Sequence, residues 1–299
     1  MLMIFAMPKP FSGHIGVIQE NAIRSWCALK PACEIILFGD EEGTAEIAAR
    51  FGIRHEPDVD RNEFGTPLVS SLFERARQLS SAKTLAYVNA DIILAGSLDK
   101  VVESTKFERF LVLGRRRDVE ITTPLNFDRE YFPSRFLSEI IPRTVLHGPA
   151  GIDFFIYPRD LYQNIPQFAL GRVVWDNWLV YHAAMVGATI IDATEVITAI
   201  HQNHDYSHHQ DGERGVWLGA ERNRNLQLAG GWGHAFTIRD ADCKLSPEGI
   251  EPIPISLERL MLYPFRRYDR ARWWAKPLLI AGWFMVVSLR QWRNGGLRQ

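Results

Sequence analysis

The stretch Thr84-Leu85-Ala86-Tyr87-Val88-Asn89-Ala90-Asp91-Ile92-Ile93-Leu94 decides the fold. Leu85 to Val88 is a short apolar run with an aromatic and a β-branched side chain, the pattern of a buried strand. The run breaks at Asn89-Ala90-Asp91 before apolar residues resume at Ile92. On an extended chain residues 89 and 91 share a side, so two oxygen-bearing side chains can converge there on one ligand. Open α/β sheets place ligands at such carboxyl ends of strands. Asn and Asp after a strand are also common turn residues and helix caps, so the motif alone leaves both roles open.

Upstream, Leu2 to Met7 is a predicted first strand, not a secretory signal, because no basic region precedes its apolar residues and no cleavage site follows. From His14, the spacing of Ile15, Ile18, Ala22, Trp26 and Leu29 predicts an amphipathic helix ending before Pro31. Glu34 to Phe38 and Ile53 to His55 are the next strands. Thr44 to Phe51 is a second helix closed by Gly52, and Pro67 to Leu79 a third, with proline at its start. Strands alternating with helices in this way predict a parallel, doubly wound half. Right-handed crossovers would then bring the loops Pro8 to Gly13, Gly39-Asp40, Asn62 to Thr66 and Asn89 to Asp91 to one crevice. No GxGxxG or GxxxxGK[ST] pattern follows these strands, which weighs against dinucleotide cofactors and P-loop nucleotide hydrolysis.

With 299 residues, 46% of them hydrophobic, the chain can bury a full core as one large α/β domain or two smaller ones. The net charge of −1 hides an asymmetry: residues 259–299 hold nine Lys plus Arg against one acid, a net of +8, which leaves −9 for the rest. The tail is a separate electrostatic object. Cys27, Cys33 and Cys243 form no CxxC pair, consistent with a reduced, cytosolic chain lacking a thiolate metal site.

Downstream, Ser97 to Lys106 is a predicted helix and Phe110 to Leu113 a strand. Arg115, Arg116 and Arg117 follow, as a solvated surface turn or as contacts to a phosphate-bearing acceptor. Residues 120–146 have weak periodicity, with a short helix expected near Ser134 to Ile141. His147-Gly148-Pro149-Ala150-Gly151 is a glycine-bearing loop, able to let backbone approach a substrate, that enters the strand Ile152 to Tyr157. Val173 to Trp178 opens a helix running to Gly187, and Asp176 is placed to cap it. Trp175 and Trp178 are candidates for core packing or for stacking on a ligand. After strands at Thr189 to Asp192 and Ile197 to Ile200 come His201, His204, His208 and His209, four of the chain's nine histidines. No Cys or HExxH pattern accompanies them as a zinc signature.

Residues 210–250 are glycine-rich with little periodicity, either a lid or an ordered surface extension. From Pro264 to Arg298 the composition changes. Arg266, Arg267, Arg270, Arg272 and Lys276 precede an apolar run, Arg290 and Arg293 follow it, and Trp273, Trp274, Trp283 and Trp292 stand at its edges. These are the basic flanks and aromatic belt of an interfacial element. Leu278 to Leu289 is too short to cross a bilayer, which needs about 20 residues. Peripheral attachment to an anionic cytoplasmic leaflet, or packing on protein, is expected instead.

The stretches PKPFSGHIGVIQENAIRSW (8–26), EIILFGDEEG (34–43), NEFGTPL (62–68) and AYVNADIIL (86–94) resemble the GT-A class of nucleotide-sugar glycosyltransferases, in particular a nucleotide-diphospho-sugar transferase-like group of bacteria and plants. The resemblance covers roughly residues 1–205. It implies an α/β GT-A fold, with a Rossmann-like, mostly parallel sheet flanked by helices. Residues 1–258 would be the catalytic domain, with a nucleotide-binding half (1–95) and an acceptor-side half (96–258), and residues 259–299 a basic, aromatic tail.

The same resemblance implies Mn²⁺ or Mg²⁺ held by Asp91 with His204 or His201. Asn89 stands where the family has Asp and would bind the donor ribose or a metal-bound water. Donor contacts would come from Pro8, Lys9, Gly39, Asp40, Glu63, Gly65, Thr66, Asn89 and Asp91. Asp176 would be the general base, with Asp153 second, and His147, Gly148, Trp175 and Trp178 would face the acceptor. The implied activity is transfer from a nucleotide-diphosphate sugar to an acceptor; the membrane-facing tail adds the expectation of a glycan or lipid-linked acceptor, in cell-envelope or surface polysaccharide synthesis at the cytoplasmic membrane face, with no nucleic-acid partner. A sugar-nucleotide pyrophosphorylase is the enzymatic alternative, although PKPFSG is a poor match to its glycine-rich basic loop. A non-catalytic carbohydrate- or partner-binding protein is the other.

Overall fold

The structure is a computed structural model, and it describes residues 2–98, 100–101, 106–128, 130–204 and 219–254, with 281, 282, 284, 285, 288, 289 and 292 beyond them. Part of the helix expected at 97–106, His208 and His209 in the histidine-rich stretch, and most of the basic tail lie outside the described residues.

Strands β1 (Leu2–Ala6), β2 (Glu34–Phe38), β3 (Arg54–Glu56) and β4 (Thr84–Val88) alternate with helices α1 (Gly13–Ala28), α2 (Thr44–Phe51) and α3 (Val69–Leu79). The four strands pair in parallel in the order β3-β2-β1-β4, as alternation of strand and helix requires. Helix α3 starts two residues later than expected: Leu68 is extended, and Pro67 precedes the helix instead of opening it.

The sheet continues beyond β4. β6 (Phe110–Leu113), β9 (Phe154–Pro158), β10 (Thr189–Asp192), β12 (Cys243–Ser246) and β13 (Gly249–Pro252) complete nine strands in the order β13-β12-β10-β6-β9-β4-β1-β2-β3. β9 runs antiparallel to both β4 and β6, and β12-β13 is an antiparallel edge hairpin, so the sheet is mostly parallel. Residues 219–254 are thus an ordered extension that supplies a helix and this hairpin, not a loop without regular structure.

Alternation along the strands divides the interior in two. In β1, Met3 and Phe5 face one core with Leu72 and Phe73 of α3, while Leu2 and Ile4 face the other with Ile23 and Trp26 of α1. Each such side chain contributes about 1.5–3 kcal/mol on burial. The helices therefore hold the sheet from both faces and leave the strand ends open.

A second sheet was not legible in the sequence. Ile92 does not resume the β4 strand; it begins β5 (Ile92–Gly96), which pairs with β11 (Ile197–Gln202), then β7 (Arg116–Val119) and β8 (Val145–Leu146), in the order β5-β11-β7-β8. Trp26 of α1 donates its indole N–H to the Ile92 carbonyl at 2.9 Å and fixes where the chain changes sheets. Helix α4 (Ser134–Ile140) and Phe132 just before it cover this sheet, with Phe132, Phe136 and Ile140 in one core with Ile93, Ala95 and Ile200. The Arg115–Arg117 run is accordingly no solvated turn: Arg116 and Arg117 belong to β7, and all three arginines are half-buried.

Candidate active site

A cavity of about 670 Å³ opens at the carboxyl ends of β1 to β4. Pro8 and Lys9 line it after β1, Glu41 after β2, Phe64, Gly65 and Thr66 after β3, and Asn89 to Asp91 after β4. Its other walls carry Asp153, Asp176, His147, Arg116, Arg172, Trp232, His201 and His204.

The floor is built where the two sheets meet. The antiparallel register of β5 and β11 sets His201 opposite Ile92, hence beside Asp91, and His204 follows one short step beyond the strand. Nε2 of His204 lies 3.0 Å from Asp91 Oδ2, and Nε2 of His201 lies 3.7 Å from the same oxygen. One ligand atom from each of the three residues falls within 4.8 Å of the others. The buried side chain of Gln202 donates to the Asp91 carbonyl at 3.1 Å and to that of Ile18 at 2.7 Å, which pins the backbone at this point.

Asp91 Oδ1 is buried and has no hydrogen-bond partner among the described residues. A buried carboxylate oxygen without a partner is costly unless something else coordinates it. Burial alone would raise the Asp91 pKa, but the bond to His204 and the charges of His201 and Lys9 hold it well below the usual carboxylate range. Asp91 is therefore an anion. Two imidazoles and one carboxylate form a donor set suited to a divalent cation such as Mn²⁺.

Asn89 serves a different purpose from Asp91. The turn at Ala90, closed by Ile92 N–H donating to the Asn89 carbonyl at 3.0 Å, ends the extended geometry that would have put both side chains on one ligand. The Asn89 amide donates to Asp153 Oδ1 at 2.6 Å, and its oxygen accepts from the Tyr87 hydroxyl at 2.9 Å. Asp153 also receives Arg116 Nη1 at 3.2 Å. Asn89 thus fixes the carboxylate facing it across the β4-β9 pair.

Asp176 lies in the first turn of α5 (Trp175–Met185), as its second residue and not its cap. The cap position is Val174, a β-branched residue at φ +80°, in the left-handed region. Such strain is held only where the surroundings over-determine the backbone, and here it aims the first turn into the cavity. Asp176 Oδ1 accepts from the backbone N–H of Asn177 at 2.8 Å. Burial pushes its carboxyl up to about 7; the neighbouring Asp153 adds to the effect, while the Asn177 amide opposes it. A carboxyl poised there suits proton transfer near neutral pH.

The remaining expected residues divide. His147, Trp175, Gly65, Thr66, Pro8 and Lys9 line the cavity. Gly151 lacks a side chain where a Cβ would collide with the His147 ring, so the glycine-bearing loop lets that imidazole reach the wall. Gly39, Asp40, Glu63, Gly148 and Trp178 are not part of the lining. Asp40 is exposed and pairs with Arg61 at 2.6 Å, and Glu63 is exposed and pairs with Arg224 at 2.7 Å. Trp178 packs in the core against Phe168, with ring centroids 5.3 Å apart, and stacks on His182 at 4.8 Å. Trp175 reaches both environments: it lines the cavity while packing edge-on to Tyr87 at 5.3 Å.

Sequence reasoning missed Glu41, Phe64, Arg172 and Trp232, which line the cavity. Glu41 could have been weighed with Asp40 in Gly39-Asp40-Glu41-Glu42, but nothing local tells which acid turns inward. Arg172 pairs with buried Glu221 at 2.7 Å, a long-range contact with no sequence signature.

No protein-family model matches the chain, and no curated protein matches it by sequence. Among solved structures, it is similar to glucosyl-3-phosphoglycerate synthase from Mycobacterium tuberculosis in complex with Mn²⁺, UDP and phosphoglyceric acid, at 14% identity and a TM-score of 0.44, over 77% of this chain and 79% of that one. It is also similar to the mannosyltransferase PcManGT from Pyrobaculum calidifontis in complex with GDP-Man and Mn²⁺, at 12% identity and a TM-score of 0.39, over 67% and 56% of the two chains. Staphylococcus aureus (S. aureus) TarS aligns at 12% identity with a TM-score of 0.42, over 68% of this chain and 36% of that one.

Proposed function

We propose that this chain is a metal-dependent glycosyltransferase that moves a sugar from a nucleotide-diphosphate donor to a glycan or lipid-linked acceptor. The observation that carries the proposal is the Asp91, His201 and His204 cluster on the cavity floor, with a buried Asp91 oxygen that has no hydrogen-bond partner among the described residues. Those three residues would hold Mn²⁺ or Mg²⁺, the two imidazoles favouring Mn²⁺. When bound, the ion supplies Lewis-acid stabilisation for the negative charge of a departing diphosphate.

The protein's own groups account for the remaining chemistry. Asp176 takes the proton from the acceptor hydroxyl, whose oxygen bonds to the anomeric carbon as the bond from that carbon to the diphosphate breaks. Attack opposite the leaving group inverts the anomeric carbon. Asp153, whose two oxygens already accept from Asn89 and Arg116, is the second candidate. Loops after β1, β2 and β3 offer Lys9, Glu41 and the exposed ring of Phe64 to the nucleoside end of the donor.

The domain reading follows: a catalytic body through residue 258 and a tail from 259. Among the described residues of the tail, Phe284, Met285, Leu289 and Trp292 are exposed on helical spacing. No helix among the described residues is long and apolar enough to cross a membrane. An exposed apolar helix face within a segment of net charge +8 fits an anionic membrane surface, and cell-envelope or surface polysaccharide synthesis at the cytoplasmic face is the setting this suggests.

Incubation with a panel of nucleotide sugars and Mn²⁺ tests the proposal. Free nucleoside diphosphate from at least one donor, suppressed by a chelator, is expected. Its absence across the panel, with donor hydrolysis and transfer both undetected, would reject it, as would formation of nucleoside triphosphate and sugar 1-phosphate, with no nucleoside diphosphate, when inorganic pyrophosphate is added.

A further inference from the structure

The four-stranded sheet ends in a row of side chains that the metal ligands alone do not explain. Asp91 precedes β5, His201 lies in β11, Asp118 in β7, and His147 follows β8. The register sets His201 directly opposite Asp118 across the parallel β11-β7 pair. On the other side, the backbone N–H of His147 donates to the Arg116 carbonyl at 3.0 Å and brings its ring alongside β7.

Asp118 is the hub of this row. Its Oδ2 lies 2.5 Å from Nδ1 of His147, and its Oδ1 lies 3.2 Å from Nδ1 of His201 and 2.9 Å from Nε of Arg116. The two contacts to Oδ1 are at ion-pair distance without the alignment of a full hydrogen bond. Arg116 continues through Nη1 to Asp153 at 3.2 Å, so one chain of contacts runs from the metal cluster to the carboxylate on the opposite wall.

An imidazole binds a cation through one unprotonated nitrogen, and the partner of the other nitrogen decides which one that is. A carboxylate beside Nδ1 keeps the proton there and leaves the Nε2 lone pair free. Nε2 is the His201 nitrogen that faces Asp91. We infer that Asp118 is a positioning residue of the metal cluster, fixing the tautomer and orientation of His201 and anchoring that ring to the cavity wall through His147 and Arg116. The inference rests on the reading of Asp91, His201 and His204 as a metal site, and it adds a residue that touches neither the ion nor the substrate.

Mn²⁺ titration of the full chain by calorimetry, with Asp118→Asn and Asp91→Ala beside it, tests this. Asp118→Asn should weaken Mn²⁺ about 10- to 100-fold, the usual effect of losing such a partner. Asp91→Ala should remove the site. Asp118→Asn within twofold of wild type, with Asp91→Ala defective, overturns the role of Asp118 and leaves the metal reading standing. No Mn²⁺ binding by wild type, or equal binding by wild type and Asp91→Ala, overturns both. Should Asp118→Asn not fold, nitrogen-15 correlation spectra of wild-type His201, recorded at a pH where the ring is neutral, decide: the proton on Nδ1 supports the inference, and the proton on Nε2 refutes it.

Discussion

Nε2 of His204 lies 3.0 Å from Asp91 Oδ2, so residues 113 positions apart in sequence meet on the floor of one cavity. An octahedron with bonds of about 2.1 Å has edges of about 3 Å, so this separation needs little adjustment for both atoms to bind one cation. Asp91→Ala should keep the fold and lower metal-dependent nucleoside diphosphate release by a factor on the order of 10²–10³ or more. Circular dichroism checks the fold and a coupled diphosphate assay the rate. Unchanged turnover would contradict the metal assignment.

Asp176 gives a pH dependence with a definite sign. Its carboxyl is pushed up to about 7, and a base acts only when ionised. The rate should therefore fall about tenfold per pH unit below that value and level off above it. Asp176→Asn should cost several orders of magnitude and flatten the profile. A variant within a few-fold of wild type would reduce Asp176 to a structural residue of the first helical turn.

The same shift makes a stability prediction. Between the ordinary carboxylate range and pH 7, folded Asp176 keeps a proton that the unfolded chain has released, so its contribution to stability declines as pH rises through that window. Asn cannot ionise. The Tm of Asp176→Asn should consequently drop less between pH 5 and pH 8 than that of wild type, measured by calorimetry in matched buffers.

Trp178 and the cavity can be separated by mutation. Because Trp178 packs on Phe168 and His182 and does not line the cavity, Trp178→Ala should cost about 3–5 kcal/mol of stability. Its Mn²⁺ affinity, measured below the lowered Tm, should match wild type.

The tail can be tested by truncation. A chain ending before Arg266 should lose binding to vesicles containing anionic lipid, while the full chain sediments with them and is released by salt. A truncated chain that still sediments would contradict attachment through the tail.

Much of the sheet was legible because its signals are local. The apolar runs at Leu2, Glu34 and Thr84, the helical spacing from Ile15 to Trp26 and the glycine at 52 each report on their own neighbourhood. The second sheet depends on pairing between segments roughly a hundred residues apart, such as Ile92 with His201, which no window of sequence contains. Asp118 was missed for the same reason: after three arginines it looks like surface charge until β11 places His201 across from it. Asp91, His201 and Asp176 were legible as polar residues at the ends or starts of elements, and all three line the cavity. That Asn89 would turn to Asp153 was not, because the turn at Ala90 sets it apart from Asp91.

The most direct test of the central claim is an anomalous-difference map at the manganese edge, from crystals grown with Mn²⁺ and a nucleoside diphosphate. The account predicts one peak bonded to Asp91 and to at least one of His201 and His204, with diphosphate oxygens completing its shell. Diphosphate bound in the cavity with no peak at Asp91, or a peak held by other residues, would contradict it.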